Sequence, residues 1–309
     1  MSDRPRIVVV GSTNTDLVVS VPHIPAPGET VLGGAMQMVA GGKGANQAVA
    51  AARLGGEVTF VARVGDDAFG AKALSGFRRD DIDTTYVSVT PGIASGVALI
   101  PVSTVTGENA IVVAPGANAC LSPEDVDAAA PAFDAAQAIV VSLEIPLETV
   151  ARAVAAGHAR RIPVILNPAP ARRLPAQLLS QVSILTPNET ETRQALGSES
   201  DGREVMELAA ELLGLGVDIA VITLGAGGAL VVTPDGIDHI AAFPVRAVDT
   251  VGAGDCFTGA LAVEFASGRS LRDAVRFANA AAALKVTRPG AQPGIPTRAE
   301  VLQFLRGLT

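Results

Sequence analysis

Two cysteines, one tyrosine and no tryptophan stand among 309 residues. Cys120 and Cys256 are too few for a disulfide framework and have no metal-ligand spacing, so a disulfide-dependent secreted protein is not expected and a reducing compartment fits better. Cys256 reads as a small packing residue. Aromatic side chains make up 3% of the chain, which leaves no stacking platform for single-stranded nucleic acid. Basic runs stop at the pairs Arg78-Arg79, Arg160-Arg161 and Arg172-Arg173, and the net charge is −8. Without a basic patch, no nucleic-acid partner is expected. His23, His158 and His239 show no metal spacing and read as surface or lid residues. No run reaches the roughly 18 uncharged apolar residues of a membrane span. Residues 1–6 are polar and lack the apolar stretch of a secretion signal. The expectation is a cytoplasmic protein without a membrane partner. The chain also has no G-x-x-x-x-G-K-[ST] loop and no full G-x-G-x-x-G between a strand and a helix, which disfavours P-loop chemistry and a nicotinamide-dependent dehydrogenase.

What the chain has is core. The hydrophobic fraction is 49% and the charged fraction 17%, enough to build a large folded unit and to make disorder unexpected. Short β-branched runs at 7–10, 58–64, 138–143, 164–166, 183–185 and 219–223 read as strands buried on both faces. Helical patterns alternate with them at 45–54, 68–79, 123–129, 147–159, 189–196 and 203–215, and close the chain at 254–268, 270–284 and 297–305. Repeated βα units predict an α/β fold with a central, mostly parallel sheet flanked by helices on both faces. Two stretches break the rhythm. Residues 16–40 and 96–114 read as antiparallel ribbons that form a small β-sheet lid beside the carboxyl ends of the parallel strands. Residues 1–309 are expected to be one such domain. The lid exposes an apolar face, so pairing with a second copy is expected there.

The most informative run is 249–259, Asp-Thr-Val-Gly-Ala-Gly-Asp-Cys-Phe-Thr-Gly. Glycines and a small residue lead into Asp255 at the start of an apolar helix. Such a turn bares amide N–H groups that attract anions. An aspartate beside an anion site repels phosphate, but it is well placed to take a proton from a hydroxyl about to attack one. The run thus suggests phosphoryl transfer to an alcohol, against the plainer possibility of a tight turn whose acid favours the helix dipole. Three further loops carry polar groups. Gly41-Gly42-Lys43-Gly44-Ala45-Asn46 opens a helix as a compact cradle, and Asn14, Asp16 and Glu144 follow strands; together they suit a polyol. Thr223-Leu224-Gly225-Ala226-Gly227-Gly228 follows a strand and either approaches a nucleotide phosphate or is a simple hairpin turn. Asn188 and Glu191 either help to hold a hydrated magnesium ion or cap a helix.

These motifs resemble the PfkB-type carbohydrate kinase family over essentially the whole chain. Residues 41–55 (GGKGANQAVAAARLG) are similar to its first signature and 249–259 (DTVGAGDCFTG) to its second, and NPAP at 167–170 and TPNETE at 186–191 resemble members acting on D-ribose. The resemblance implies ATP-dependent phosphorylation of D-ribose at its 5-hydroxyl, with Asp255 as general base and the amides of Gly252, Ala253 and Gly254 as anion hole. It implies Asn14, Asp16, Gly42, Lys43, Asn46 and Glu144 at the sugar, and Asn188, the 223–228 loop, Gly254 and Asn279 at ATP. Glu191 would stand near Mg2+. An activating K+ ion would sit on Asp249, Val251, Lys285, Arg288, Gly290 and Gly294, on condition that the Lys285 side chain points away from it. Asn14 would bond the 2-hydroxyl of ribose. The alternatives are another sugar or nucleoside kinase of the same fold (fructose, 2-keto-3-deoxygluconate, deoxyribose), or a non-catalytic sugar-binding regulator, which would not need a general base.

Overall fold

In the computed structural model, residues 4–197 and 202–307 are described; the first three residues of the polar 1–6 stretch lie outside them. Thirteen strands appear in this described part: β1 Arg6–Val10, β2 Asn14–Val21, β3 Met36–Gly41, β4 Glu57–Gly65, β5 Val87–Thr90, β6 Gly96–Ser103, β7 Val112–Ala114, β8 Ala138–Ser142, β9 Val164–Asn167, β10 Ile184–Leu185, β11 Ile219–Thr223, β12 Ala229–Thr233 and β13 Gly236–Ile240. Nine form the main sheet in the order β13-β12-β11-β10-β9-β8-β1-β4-β5, and four form a small sheet in the order β3-β2-β6-β7. In the main sheet β5, β4, β1, β8, β9, β10 and β11 pair in parallel with their neighbours, and β12 and β13 add an antiparallel edge.

Alternation along β1 shows why the sheet is buried on both faces. Ile7 and Val9 join one apolar cluster with Phe60, Val263 and Ala278, while Val8 and Val10 join another with Phe133, Val150 and Leu212. Side chains of neighbouring strand residues point to opposite faces, so a run of β-branched residues supplies both layers at once. The strand order turns at β1: the chain builds outward through β4 and β5 on one side and through β8 to β11 on the other. Open α/β sheets bind ligands at such a turning point, beyond the carboxyl ends of the strands.

The small sheet stands at that place. β2 begins at Asn14, and Asn14 pairs with Gly41 of β3 and with Gly96 of β6. The two ribbons are antiparallel, as expected, and are joined through a parallel β2–β6 pairing. Asn14 and Asp16 belong to β2 itself, not to a loop after β1; two residues apart on a strand, they share one face. Strands β5, β12 and β13 were not expected from the sequence. The last two flank Thr233-Pro234-Asp235-Gly236, a turn signal of proline, aspartate and glycine between β-branched runs.

Candidate active site

Asp255 lies in the first turn of the helix Ala253–Ala266, and this helix runs through the core with residues 255 to 264 buried. The helix Lys43–Arg53 packs against it at Gly259, where an added Cβ would come within 2.7 Å of Ala50 Cβ and of the Gln47 carbonyl. That close approach brings the first turns together. Asn46 Nδ2 donates to Asp255 Oδ2 at 2.9 Å and Gln47 Nε2 donates to Oδ1 at 3.0 Å. Gln47 Nε2 also donates to Asn167 Oδ1 at 3.1 Å, and Asn167 Nδ2 to the Thr186 carbonyl at 2.9 Å. The carboxylate is thus held from beneath by residues at the ends of β9 and β10. Gln47, Asn167 and Thr186 were not singled out from sequence as site residues; the signal for Gln47 was its place beside Asn46 inside the first signature.

Charge is concentrated here. Burial raises the Asp255 pKa and nearby Glu144 adds to the rise, while Lys43 and the two amide donors pull against it. Asp16 is pushed up to about 6, first by burial and then by the charges of Glu144 and Asp255. Burial alone would lower the Lys43 ammonium, but Asp255, Glu144 and Glu191 outweigh it and hold the pKa above the ordinary lysine value. One ammonium therefore serves several carboxylates, leaving a site with excess acceptors, which suits a ligand rich in hydroxyl donors. Buried Cys256, next to Asp255, has its thiol pushed up to about 12 by burial; it is packing, not a nucleophile.

Among the residues expected at the sugar, Gly42 takes φ 88° at the start of the helix, where a Cβ would come within 2.6 Å of the Asn14 amide; only glycine fits. Glu144 follows β8, and its Oε2 accepts from Ser12 Oγ at 2.5 Å and from the Lys43 amide at 3.0 Å, which leaves Oε1 for a ligand. Asn118 sets the orientation of Asn14. Its Oδ1 accepts from the Thr13 amide at 2.9 Å, and its Nδ2 donates to the Thr13 carbonyl at 3.1 Å and to Asn14 Oδ1 at 2.7 Å. With Oδ1 so used, Asn14 offers Nδ2, a donor, to a ligand. Asn118, buried and far in sequence, gave no signal of this role.

The residues expected at the nucleotide gather around β10, β11 and β13. Asn188 caps the helix Glu189–Leu196: its Oδ1 accepts from the Glu191 amide at 2.8 Å, and Glu191 Oε2 accepts from the Asn188 amide at 2.9 Å. Thr223 bridges to Asn188, and its amide donates to the Pro187 carbonyl at 2.9 Å. The 223–228 loop is the tight hairpin between β11 and β12, closed by the Leu224 amide on the Gly228 carbonyl at 2.8 Å. His239 on β13 reaches this loop, Nε2 to the Gly227 carbonyl, at 2.8 Å. Asn279 is buried and donates Nδ2 to the carbonyls of Ile240 and Ala241 at 3.0 and 3.3 Å. Glu191 links the two ends. Its pKa is raised by burial, with Asp255 adding and Asn188 and Lys43 opposing. Among the described residues no group of three or more acids, histidines or cysteines could cage a metal. A half-buried acid with one oxygen to spare fits magnesium, which keeps water and phosphate ligands and needs little from protein.

Gly252 takes φ 76° and leads into the helix of Asp255. The Ala253 amide donates to the Thr250 carbonyl at 3.1 Å, so that member of the expected anion hole closes the turn. The Gly254 amide stands in the first helical turn, where N–H groups lack intrahelical partners, and a Cβ on Gly254 would meet nothing within 4 Å. That is room for a ligand.

Asp249, Val251, Lys285, Arg288, Gly290 and Gly294 do come together. Asp249 Oδ1 accepts from the Val251 amide at 2.9 Å and Oδ2 from the Gly290 amide at 2.7 Å. The Lys285 carbonyl accepts from the Arg288 amide at 3.0 Å and the Gly290 carbonyl from the Gly294 amide at 3.2 Å. The Lys285 side chain does not point away: Nζ donates to the Asp249 carbonyl at 2.8 Å. Burial lowers its pKa, opposed by Asp249, Cys256 and Asp255. With an ammonium already on one of its oxygens, this donor set does not fit a K+ ion.

The model of the pfkB family of carbohydrate kinases matches residues 4–298. The ribokinase of Haemophilus influenzae is 41% identical over 303 residues, covering 98% of this chain and 99% of that protein. The deoxyribokinase of Salmonella typhimurium is 40% identical over 301 residues, 97% of this chain and 98% of that one. The structure of Arabidopsis thaliana ribokinase complexed with ribose and ATP superposes with a TM-score of 0.89 at 33% identity, covering 98% of this chain and 99% of that one.

Proposed function

The chain belongs to the pfkB family of carbohydrate kinases, and we propose that it transfers the γ-phosphoryl group of ATP to O5 of D-ribose, giving ribose 5-phosphate and ADP. The observation that carries this is Asp255: a desolvated carboxylate with raised pKa, fixed by two amide donors in the first turn of a helix whose N-terminus bares backbone N–H groups. Asp255 accepts the O5 proton as O5 forms its bond to Pγ, and the bond from Pγ to the bridging oxygen breaks with its electrons passing to ADP. The Gly254 amide and the dipole of its helix stabilise the charge that grows on the phosphoryl oxygens. Lys43 partly neutralises the carboxylate cluster. Asp16 and Glu144 accept from sugar hydroxyls, and Asn14, turned by Asn118, donates to one. Asn188, the 223–228 loop and Asn279 line the nucleotide. Magnesium, when bound near Glu191, neutralises phosphate charge. No monovalent cation is assigned to the reaction.

Ribose is favoured over 2-deoxyribose by one observation. The Asn14 donor needs an oxygen, and a sugar lacking the 2-hydroxyl leaves a buried N–H unpaired. We place the reaction in the cytoplasm, read the chain as one α/β domain with the small sheet as lid, and assign that sheet to pairing with a second copy. The test is ADP release from MgATP with D-ribose, 2-deoxyribose, fructose, 2-keto-3-deoxygluconate and adenosine. Turnover with ribose, exceeding deoxyribose, is expected. Turnover with another acceptor alone would keep the kinase and overturn the sugar assignment; ribose binding without turnover would favour a regulator.

A further inference from the structure

Lysine is almost never fully buried unless it is paired, yet Lys285 has 0% exposure. Its ammonium lies on the Asp249 carbonyl at 2.8 Å and 4.0 Å from Asp249 Oδ1. The surroundings are built for it. A Cβ on Gly294 would come within 3.1 Å of Lys285 Cε and within 3.3 Å of the Lys285 carbonyl, so glycine at 294 lets the aliphatic stem pass where a larger residue would press on it. The amides of Val248 and Asp249 both donate to the Val286 carbonyl, at 2.7 and 3.1 Å. Asp249 in turn accepts from Val251 and Gly290. The result is a knot that ties the end of the helix Leu271–Val286 to the segment running directly into Gly252 and Gly254.

We propose that the Lys285 ammonium is a built-in substitute for a monovalent cation, holding the 248–252 segment, and through it the phosphate-facing Gly254 amide, in place whatever the salt. An ammonium brings a single positive charge and three donors that need oxygen acceptors. A loose cation at the same carbonyl would have to displace it or sit beside a like charge. Lys285 is therefore a positioning residue, acting on the anion hole through Asp249. The link to phosphate rests on the kinase reading; the occupancy of the cation position rests on geometry alone.

The test separates the two. Thermal unfolding of the wild-type protein is compared in KCl and in tetramethylammonium chloride at equal ionic strength, and thallium(I), a potassium surrogate, is soaked into crystals and located by anomalous scattering. A Tm equal in the two salts within about a degree, with no thallium at Asp249, is expected, since an ion that does not bind the native state cannot stabilise it. A potassium-dependent rise in Tm, or thallium on the Asp249 carbonyl of the wild type, overturns the proposal. The same measurements on Lys285→Ala, and on Lys285→Met, which keeps the stem, should show potassium raising Tm and thallium appearing at Asp249. With ribose and MgATP, wild-type kcat should differ by less than about twofold between the salts, while Lys285→Ala should lose about tenfold or more in tetramethylammonium and regain it in potassium with little change in the KM for ribose. Wild-type kcat raised about tenfold or more by potassium also overturns it. Absence of ribose turnover in every salt would count against the kinase reading, and the Tm and thallium results would still decide the role of Lys285.

Discussion

At the scale of single residues, the site is a cluster of acids that folding would rather keep neutral. Asp16 is the clearest case, raised from 3.8 to about 6 in the protein. A carboxyl whose folded pKa exceeds its unfolded value holds its proton longer in the native state. The folded state is therefore favoured at low pH, and that advantage is lost as pH rises from about 4 to about 6. On the proposed reading ribose reverses the preference, because its hydroxyls would donate to the ionised form. Ribose affinity should thus climb as pH rises through about 6 and level off above it, with proton release on binding below that point, as isothermal titration in buffers of different ionisation enthalpy would show. Asp16→Asn should raise the stability of the ligand-free protein at pH 7 by up to about 3 kcal/mol, the cost of a shift of this size, while weakening ribose binding. A variant destabilised at pH 7 would show that the charge is not the strained element. Asp255→Asn should keep ribose affinity and lower kcat by about 10²–10⁴; near-full kcat in single-turnover assays would remove it as the base. Gly254→Ala is a cleaner probe of the anion hole. Beyond its chain neighbours and its own helix backbone, its Cβ would meet nothing within 4 Å, so stability should hold or rise by about 0.5–1 kcal/mol, and any fall in kcat reports on the phosphate.

At the scale of elements, the decisive contact is helix on helix. Gly259 lets the helix Lys43–Arg53 come close enough for Asn46 and Gln47 to reach Asp255. Gly259→Ala should push the pair apart, cost about 1–3 kcal/mol in denaturant unfolding and lower kcat although no site residue is changed. Equal kcat would mean that the two amides do not orient the base. The same contact shows what sequence could reveal. Glycines, Lys43 and Asp255 sit in short runs with local turn chemistry, so the two signature loops and the alternating strands and helices were legible. Asn118, Asn167 and Thr186 act across 104, 120 and 72 residues of chain, toward Asn14, Gln47 and Thr258, and nothing local marks them. The capping box of Asn188 and Glu191 was one of two readings of the same residues, and the structure shows it formed. The Lys285 side chain was placed by no sequence rule, because burial of its stem depends on a glycine nine positions on.

At the scale of the whole molecule, the small sheet carries a consequence beyond the site. Met38 pairs with Leu17, Leu17 with Leu99, and Leu99 with Val112, so one apolar row crosses all four strands. It lies on the face opposite Asp16, because Leu17 is the next residue along β2 and alternate side chains face opposite ways. Met38 is 50% exposed, Leu99 48% and Val112 63%, an unusual row to leave in water. Both edge strands of the sheet, β3 and β7, also end it without a further neighbour, and such edges invite pairing. Wild-type protein should sediment as a dimer, and Leu99→Asp, a charge in the middle of the row, should shift it to monomer at the same concentration. The site itself faces the other way, so the variant should still bind ribose, more weakly if the partner braces the lid. Hydrogen exchange reads that bracing. Ribose should slow exchange in β2, β3, β6 and β7 of the wild type, and slow it less in the monomer. A Leu99→Asp protein that remains dimeric would place the partner elsewhere, and equal protection of the lid with and without ribose would deny that the sheet closes over the sugar.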